Sequence, residues 1–274
     1  LVKLSVTLSL IFSVNNVYAD REAFESTYVP LAPEKIVIQN ASIYDGDGGE
    51  FFETDVLVED GKIIAIGKDL PFSNEFRVID ATGKWVTPGI IDIHSHMGVY
   101  PAPGVRTSSD GNEATSPVTA DVWAEHSIWV QDPQYALALT GGVTAFHILP
   151  GSANLIGGRG VTVKNLQRVT INSMKFPDAP HSLKMACGEN PKRVYGNRGQ
   201  APSTRMGNAA GYRKSWIQAE GYLRRLNEYE EKSDEAKELE YAPTRDLEME
   251  TLAGVLKGEI LVHNHCYRAD EMAT

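Results

Sequence analysis

Seven histidines occur in the chain, and four of them form two His-x-His pairs, His94/His96 and His263/His265. On a strand, positions i and i+2 face the same way, so both imidazoles of a pair can reach one point. Imidazoles converging in this way are the beginning of a site for Zn²⁺ or another divalent ion. One such pair alone is a weak signal, because chance or a hydrogen-bonded pair produces it too. The first pair, however, ends a continuous apolar run, Ile90-Ile91-Asp92-Ile93-His94. Such a run reads as a strand buried on both faces of a parallel sheet. In a parallel barrel the C-terminal strand ends form the active-site face. His147 lies near the end of a second apolar run, Val143 to Leu149, and is expected to face the same cavity. It either lines a substrate pocket or packs as a strand-end histidine. Residues 150–160 form a glycine-rich loop that holds Asn154, Gly157, Gly158 and Arg159. No G-K-[ST] follows, so it is not a phosphate loop. It is expected to shape the substrate pocket, with Asn154 as a binding candidate. Arg205 carries a planar fork suited to a substrate carboxylate, with a surface salt bridge as the alternative. His126 and His181 have no supporting context and are read as structural.

These side chains need elements to hold them. Residues 34–88 alternate short apolar runs with turns. Asp60-Gly61, between Asp55–Glu59 and Lys62–Gly67, is a type I′ hairpin signal. This part reads as a small β-sandwich or open sheet. After Pro88-Gly89 the pattern changes to buried strands at 90–94, 143–149, 183–188 and 259–263, with helices at about 125–139, 211–240 and 247–256. Strands alternating with helices indicate βα units around a parallel sheet. The charged stretch 220–240 reads as the solvated face of a helix.

The first residues read as an address. Lys3 precedes the apolar stretch Leu4 to Val14, and Ala19 precedes Asp20. A basic start, an apolar segment of about 7–15 residues and a small residue at the cut make a secretory signal peptide. A spanning helix needs about 20 apolar residues. The protein is therefore expected to be exported, periplasmic or secreted, with residues 1–19 removed and no lipid anchor at Asp20. The other reading of this segment is a buried N-terminal element.

Composition narrows the class. Hydrophobic residues are 42% and charged residues 23% of 274, ordinary globular usage that excludes a disordered chain or a multi-span membrane protein. The net charge of −10 argues against nucleic-acid binding, which needs a positive footprint. Two cysteines, Cys187 and Cys266, cannot make a disulfide framework and are expected to be free.

The segments IVIQNASIYDGDG, DVLVEDGKIIAIG, VIDATGKWVTPGIIDIHSHMG and GVTAFHILPGS resemble the metal-dependent amidohydrolase superfamily. TPGIIDIHSH is the most specific of these stretches. GSANLIGGRGVTVKN, KMACGENPKRVYG, TRMG and HCYRADEMA resemble an imidazolonepropionase-related subgroup. The resemblance implies an α/β fold: a (β/α)₈ TIM-type barrel with a small β-sandwich domain, holding one or two divalent ions, most simply zinc. It places His94 and His96 as first-strand metal ligands and His265 as the fifth-strand ligand, with His263 as the alternative. Tyr267 stands where the family pattern has a second histidine and becomes a substrate-binding candidate. Glu189 stands where some relatives use a glutamate to bind metal and others a carboxylated lysine. Its alternative is a loop carboxylate paired to Lys192 or Arg193.

The implied chemistry is metal-assisted hydrolysis of a C–N bond in a small amide, cyclic amide or dipeptide. The resemblance also calls for a sixth-strand histidine and an eighth-strand aspartate as general base. Neither follows His265 before Thr274, so no catalytic residue is identified. The chain is expected to be an N-terminal fragment, cut at about strand 5 and inactive alone. In this division residues 1–19 are the signal, 20–88 the sandwich part and 89–274 the incomplete barrel. The stretch after Pro88 falls short of the about 250 residues that a whole barrel takes. The rival reading is a non-catalytic metal-binding or interaction protein, and within enzymes a prolidase-like dipeptidase competes with a cyclic amidase. No membrane span is expected, and homo-oligomers are expected for the complete protein.

Overall fold

A computed structural model describes residues 24–32 and 34–273. The signal-peptide segment lies outside the described residues. No described helix is long and apolar enough to cross a membrane.

The N-terminal part is one open sheet. Its strands are β1 (Ile36–Tyr44), β2 (Glu50–Glu59), β3 (Lys62–Gly67), β4 (Arg77–Asp80) and β5 (Trp85–Val86). They run in the order β3-β2-β1-β4, with β5 also paired to β1. Asp60 and Gly61 both have positive φ, as the β2–β3 hairpin turn requires. Val37, Ala41, Ile43 and Val56 are buried, while Phe52, Ile64, Val78 and Trp85 are exposed. Among the described residues this is a single sheet, without the second layer of a sandwich.

The second sheet contains β6 (Ile90–Ser95), β7 (Val143–Ile148), β8 (Ile156–Lys164), β9 (Ser182–Ala186) and β10 (Leu261–His265). Their spatial order is β10-β9-β8-β7-β6. The sheet curls as a half barrel, and Ile91 and Ile93 on β6 and Val262 on β10 are exposed along its outer strands.

The strand β8 corrects the sequence reading, which placed a loop as far as Gly160. It pairs antiparallel with both β7 and β9. Its glycines permit this. A Cβ at Gly158 would collide with the Val122 carbonyl, and one at Gly160 would lie 2.9 Å from the Ile148 carbonyl. Neighbouring backbone passes too close for any side chain. Two antiparallel pairings in succession restore direction, so β6, β7, β9 and β10 all point the same way. Their C-terminal ends share one rim.

Helices cover the outer face. They are α1 (Gln134–Thr140), α2 (Glu189–Gly196), α3 (Arg205–Glu230), α4 (Asp234–Leu239), α5 (Leu247–Leu256) and α6 (Ala269–Met272). Ser215, Ala219, Tyr222 and Leu226 recur at helical spacing along α3 and are buried. With Met249, Leu252 and Ala253 of α5 they pack over Ile156, Leu183 and Met185 of the sheet. Thr204 caps α3 by accepting from Gly207 N at 3.0 Å, and Asp246 caps α5 by accepting from Met249 N at 3.1 Å.

Cys187 and Cys266 are joined in a disulfide, with Cα atoms 5.1 Å apart, and so are not free. The register explains it. Ala186 of β9 pairs with His265 of β10, so the next residue on each strand is a cysteine facing a cysteine.

Candidate active site

The rim formed by β6, β7, β9 and β10 brings together His94, His96, His147, Lys184, His263 and His265. His94 and His96 face each other edge to face, with ring centroids 5.3 Å apart. His96 Nδ1 meets the Leu149 carbonyl at 2.8 Å, which orients the ring and leaves Nε2 for the cavity. Asp92 accepts from the His94 backbone N–H at 3.1 Å and steadies the same strand end.

Lys184 is the residue that the sequence reading missed. It lies in the middle of β9 with 1% of its surface exposed. Its Nζ stands 3.2 Å from His94 Nε2 and donates to the Pro150 carbonyl at 3.1 Å. A lysine within the buried run Ser182–Ala186 was the available signal, because lysine is rarely buried without a reason. Burial pushes its ammonium down to about 8.

The imidazoles are held neutral. Burial, then the Lys184 charge, lowers His94 to about 4. Burial, then the neighbouring His263, lowers His147 to about 4. His96, His263 and His265 are also lowered, each by burial first. Neutral imidazole is the metal-binding form.

The sequence-derived ligand set is not assembled as expected. Among the described residues, no three His, Cys, Asp or Glu side chains converge on one metal position. Glu189 is the reason on one side. It is exposed at the start of α2, and its carboxylate makes no ion pair with Lys192 or Arg193. Gly188, at φ +66°, turns the chain so that Asn190 reaches inward, 3.4 Å from His265 Nε2. The fourth-strand position nearest the histidines belongs to Lys184. In kind, the donors fit a divalent ion: neutral imidazoles on two strands, one oriented by a carbonyl, with a buried amine beside them.

The substrate-binding candidates separate. His147 spends both ring nitrogens on hydroxyls, Thr162 Oγ1 at 2.9 Å and Ser182 Oγ at 2.6 Å, and stacks on His263 with centroids 4.7 Å apart. It is a packed member of the cluster. Asn154 is buried and donates to the Glu113 and Ser116 carbonyls and Thr119 Oγ1, so it ties loops together instead of facing a pocket. Arg159 is buried, donates to Thr251 Oγ1 and lies 4.3 Å over the Trp123 ring. Arg205 is committed to an ion pair with Glu271. Tyr267 is exposed, its ring edge-on to His265 at 4.6 Å. His126 stacks on Trp123.

A cavity of about 440 Å³ adjoins the cluster through Pro150 and is lined also by Asn112, Glu113, Asp121 and Trp123. A second of about 640 Å³, lined by Lys175, Phe176, His181 and Ile260, opens at the beginnings of β9 and β10, away from the rim histidines.

No protein-family model matches the chain. It is 36% identical over 277 residues to the amidohydrolase tasK of Hapsidospora irregularis, covering 89% of this chain and 28% of that protein. It is 46% identical over 74 residues to a dihydroorotase of Lactobacillus helveticus, covering 27% of this chain and 16% of that one. Among solved structures, an amidohydrolase from Thermotoga maritima superposes with a TM-score of 0.79 at 38% identity, over 87% of this chain and 60% of that one. The chain thus spans less than two thirds of each of these relatives. These similarities support placing the chain in the amidohydrolase superfamily, as a relative of hydrolases that act on carbon–nitrogen bonds.

Proposed function

We propose that the protein is a metal-dependent hydrolase of a C–N bond in a small amide, cyclic amide or dipeptide. The observation that carries this reading is the placement of His94, His96 and His265 along one strand-end rim, with the buried Lys184 of β9 beside His94. A divalent ion, zinc in the simplest case, would be held by these histidines. When bound, it supplies an activated water near neutral pH and polarises the substrate carbonyl.

The chain's own residues do the rest. Leu149 and Asp92 hold the β6 histidines in orientation. Asn190 holds His265. Lys184 takes the place expected of Glu189. As a neutral amine it can add to carbon dioxide, releasing one proton and gaining an anionic oxygen donor as a carbamate. The subgroup resemblance favours a cyclic amide of the kind an imidazolonepropionase-related enzyme would take, with a dipeptide as the competing substrate. The Cys187–Cys266 bridge suits the oxidising compartment to which the leader segment points.

The test uses protein made from its full reading frame. Wild type, His94→Ala and His96→Ala are loaded with Zn²⁺, analysed for metal, and assayed on cyclic amides, N-acyl amino acids and dipeptides. Either variant is expected to lose bound metal and to lose activity by more than the about 10–100-fold that outer-shell changes cost. Unchanged metal content in both variants would refute the assignment.

A further inference from the structure

Asn208 is buried in the first turn of α3, outside the site described above. A buried side-chain amide is costly unless its groups are paired, and this one uses both. Its Nδ2 donates to the Thr204 carbonyl at 2.9 Å. That fixes the amide, so Oδ1 points out of the helix and accepts from the Gly188 backbone N–H at 3.1 Å. One turn further along α3, the Tyr212 hydroxyl donates to the Ala186 carbonyl at 2.6 Å. The start of α3 therefore grips the C-terminal end of β9 at two points.

Gly188 is where the chain turns from β9 into α2. Its φ of +66° is a conformation that a side chain rarely adopts. A Cβ there would also collide with the Glu271 carboxylate. Glu271 is enclosed and paired to Arg205, which is in the first turn of α3 as well. Gly188 is thus held from two sides, by Asn208 on its N–H and by Arg205 through Glu271. The turn that follows carries Asn190, whose side-chain amide lies 3.4 Å from His265 Nε2. On the other side of Gly188, the Cys187 N–H donates to the His265 carbonyl at 2.8 Å. One short stretch of chain therefore meets both the backbone and the ring of His265.

We propose that Asn208 is a positioning residue for His265 as a metal ligand. By pinning the Gly188 N–H it sets the direction of the first turn of α2, which presents Asn190 to the imidazole. Asn190 occupies the Nε2 side of the ring and leaves Nδ1 for the ion. Arg205, through Glu271, closes the other side of the same turn. The inference rests on the hydrolase reading, in which His265 holds metal.

The test is Co²⁺ binding to metal-stripped protein made from its full reading frame, followed by the visible absorption of the bound ion. Asn208→Leu removes the acceptor and keeps the volume. Asn190→Ala and a variant carrying both changes complete a cycle. Each single change is expected to weaken Co²⁺ binding about 10–100-fold, the usual cost of losing a support of a ligating histidine. The double variant is expected to bind no more weakly than the weaker single one, because both residues act along one line of contacts. Losses that multiply overturn the proposal, since Asn208 would then act on the fold and not through Asn190. Unchanged affinity in Asn208→Leu overturns it too. So does unchanged affinity in Asn190→Ala, a result that decides even where Asn208→Leu does not fold. His94→Ala and His265→Ala are the references. If only His94→Ala loses Co²⁺, the Asn208 inference falls and the hydrolase reading stands. A wild type that binds no Co²⁺ overturns both.

Discussion

At the scale of single residues, burial governs the chemistry of the rim more than any charge partner. His147 is the best-enclosed imidazole, and its lowering to about 4 comes first from desolvation. His94, open on one side, is lowered to about 4 with Lys184 as the second cause. In both, the folded value lies below the unfolded value of about 6.5, so the unfolded chain binds protons more readily between the two. The stability these groups contribute is complete above about pH 6.5 and is lost as the pH falls towards 4. For metal-stripped protein, the urea midpoint is therefore expected to drop between pH 6.5 and 4; a flat profile across that window would contradict it. The two His-x-His pairs were legible in the sequence because a strand has a period of two. Glu189 misled because adjacency to a strand says nothing of which way the first helical turn faces. Gly188 decides that, and it turns Asn190 inward.

At the scale of elements, the loop after β6 must be held still for His96 to keep its place. Asp132 does this. It is fully buried, and its carboxylate accepts from Gly98 N at 3.1 Å, Ala102 N at 3.3 Å and Gln134 N at 3.0 Å. It ties the loop to the start of α1. The sequence reading ran a helix through this position, at about 125–139, whereas α1 begins only at Gln134. Asp132→Ala strands these N–H groups and is expected to cost about 3 kcal/mol in urea unfolding. A loss below about 1 kcal/mol would mean that water replaces the carboxylate fully. The strand β8 was illegible for a related reason. Glycines in a sequence signal a loop by default, and only the approach of Val122 and Ile148 backbone shows that they serve close strand packing.

At the scale of the whole molecule, the curled sheet is fastened where its chemistry lies. The Cys187–Cys266 bridge joins the ends of β9 and β10, closing 79 residues of sequence between them. The chain-entropy argument gives such a loop about 4.5 kcal/mol, with typical cases delivering about 2–4. Replacing both cysteines by alanine is expected to lower unfolding free energy by that lower range, and mild reduction of wild type is expected to match it. Free thiols in the untreated, unreduced protein would show that the bridge does not form. The outer strands β6 and β10 carry exposed Ile91, Ile93 and Val262. The Thermotoga maritima amidohydrolase matches this chain over 60% of its own length.

By itself the sequence determined the two His-x-His pairs, the change from a hairpin-rich leader to alternating strands and helices, and the family likeness. Each of these is written in local spacing, whether a period of two, a hairpin dipeptide or a contiguous motif. Tertiary structure alone decided what lies across from what. It set Lys184 against His94, paired Cys187 with Cys266, and spent Arg205 on Glu271 and Asn154 on loop carbonyls. The partners in these contacts are 38 to 90 positions apart in the chain. Strand order and register bring such residues together, and no local pattern encodes them.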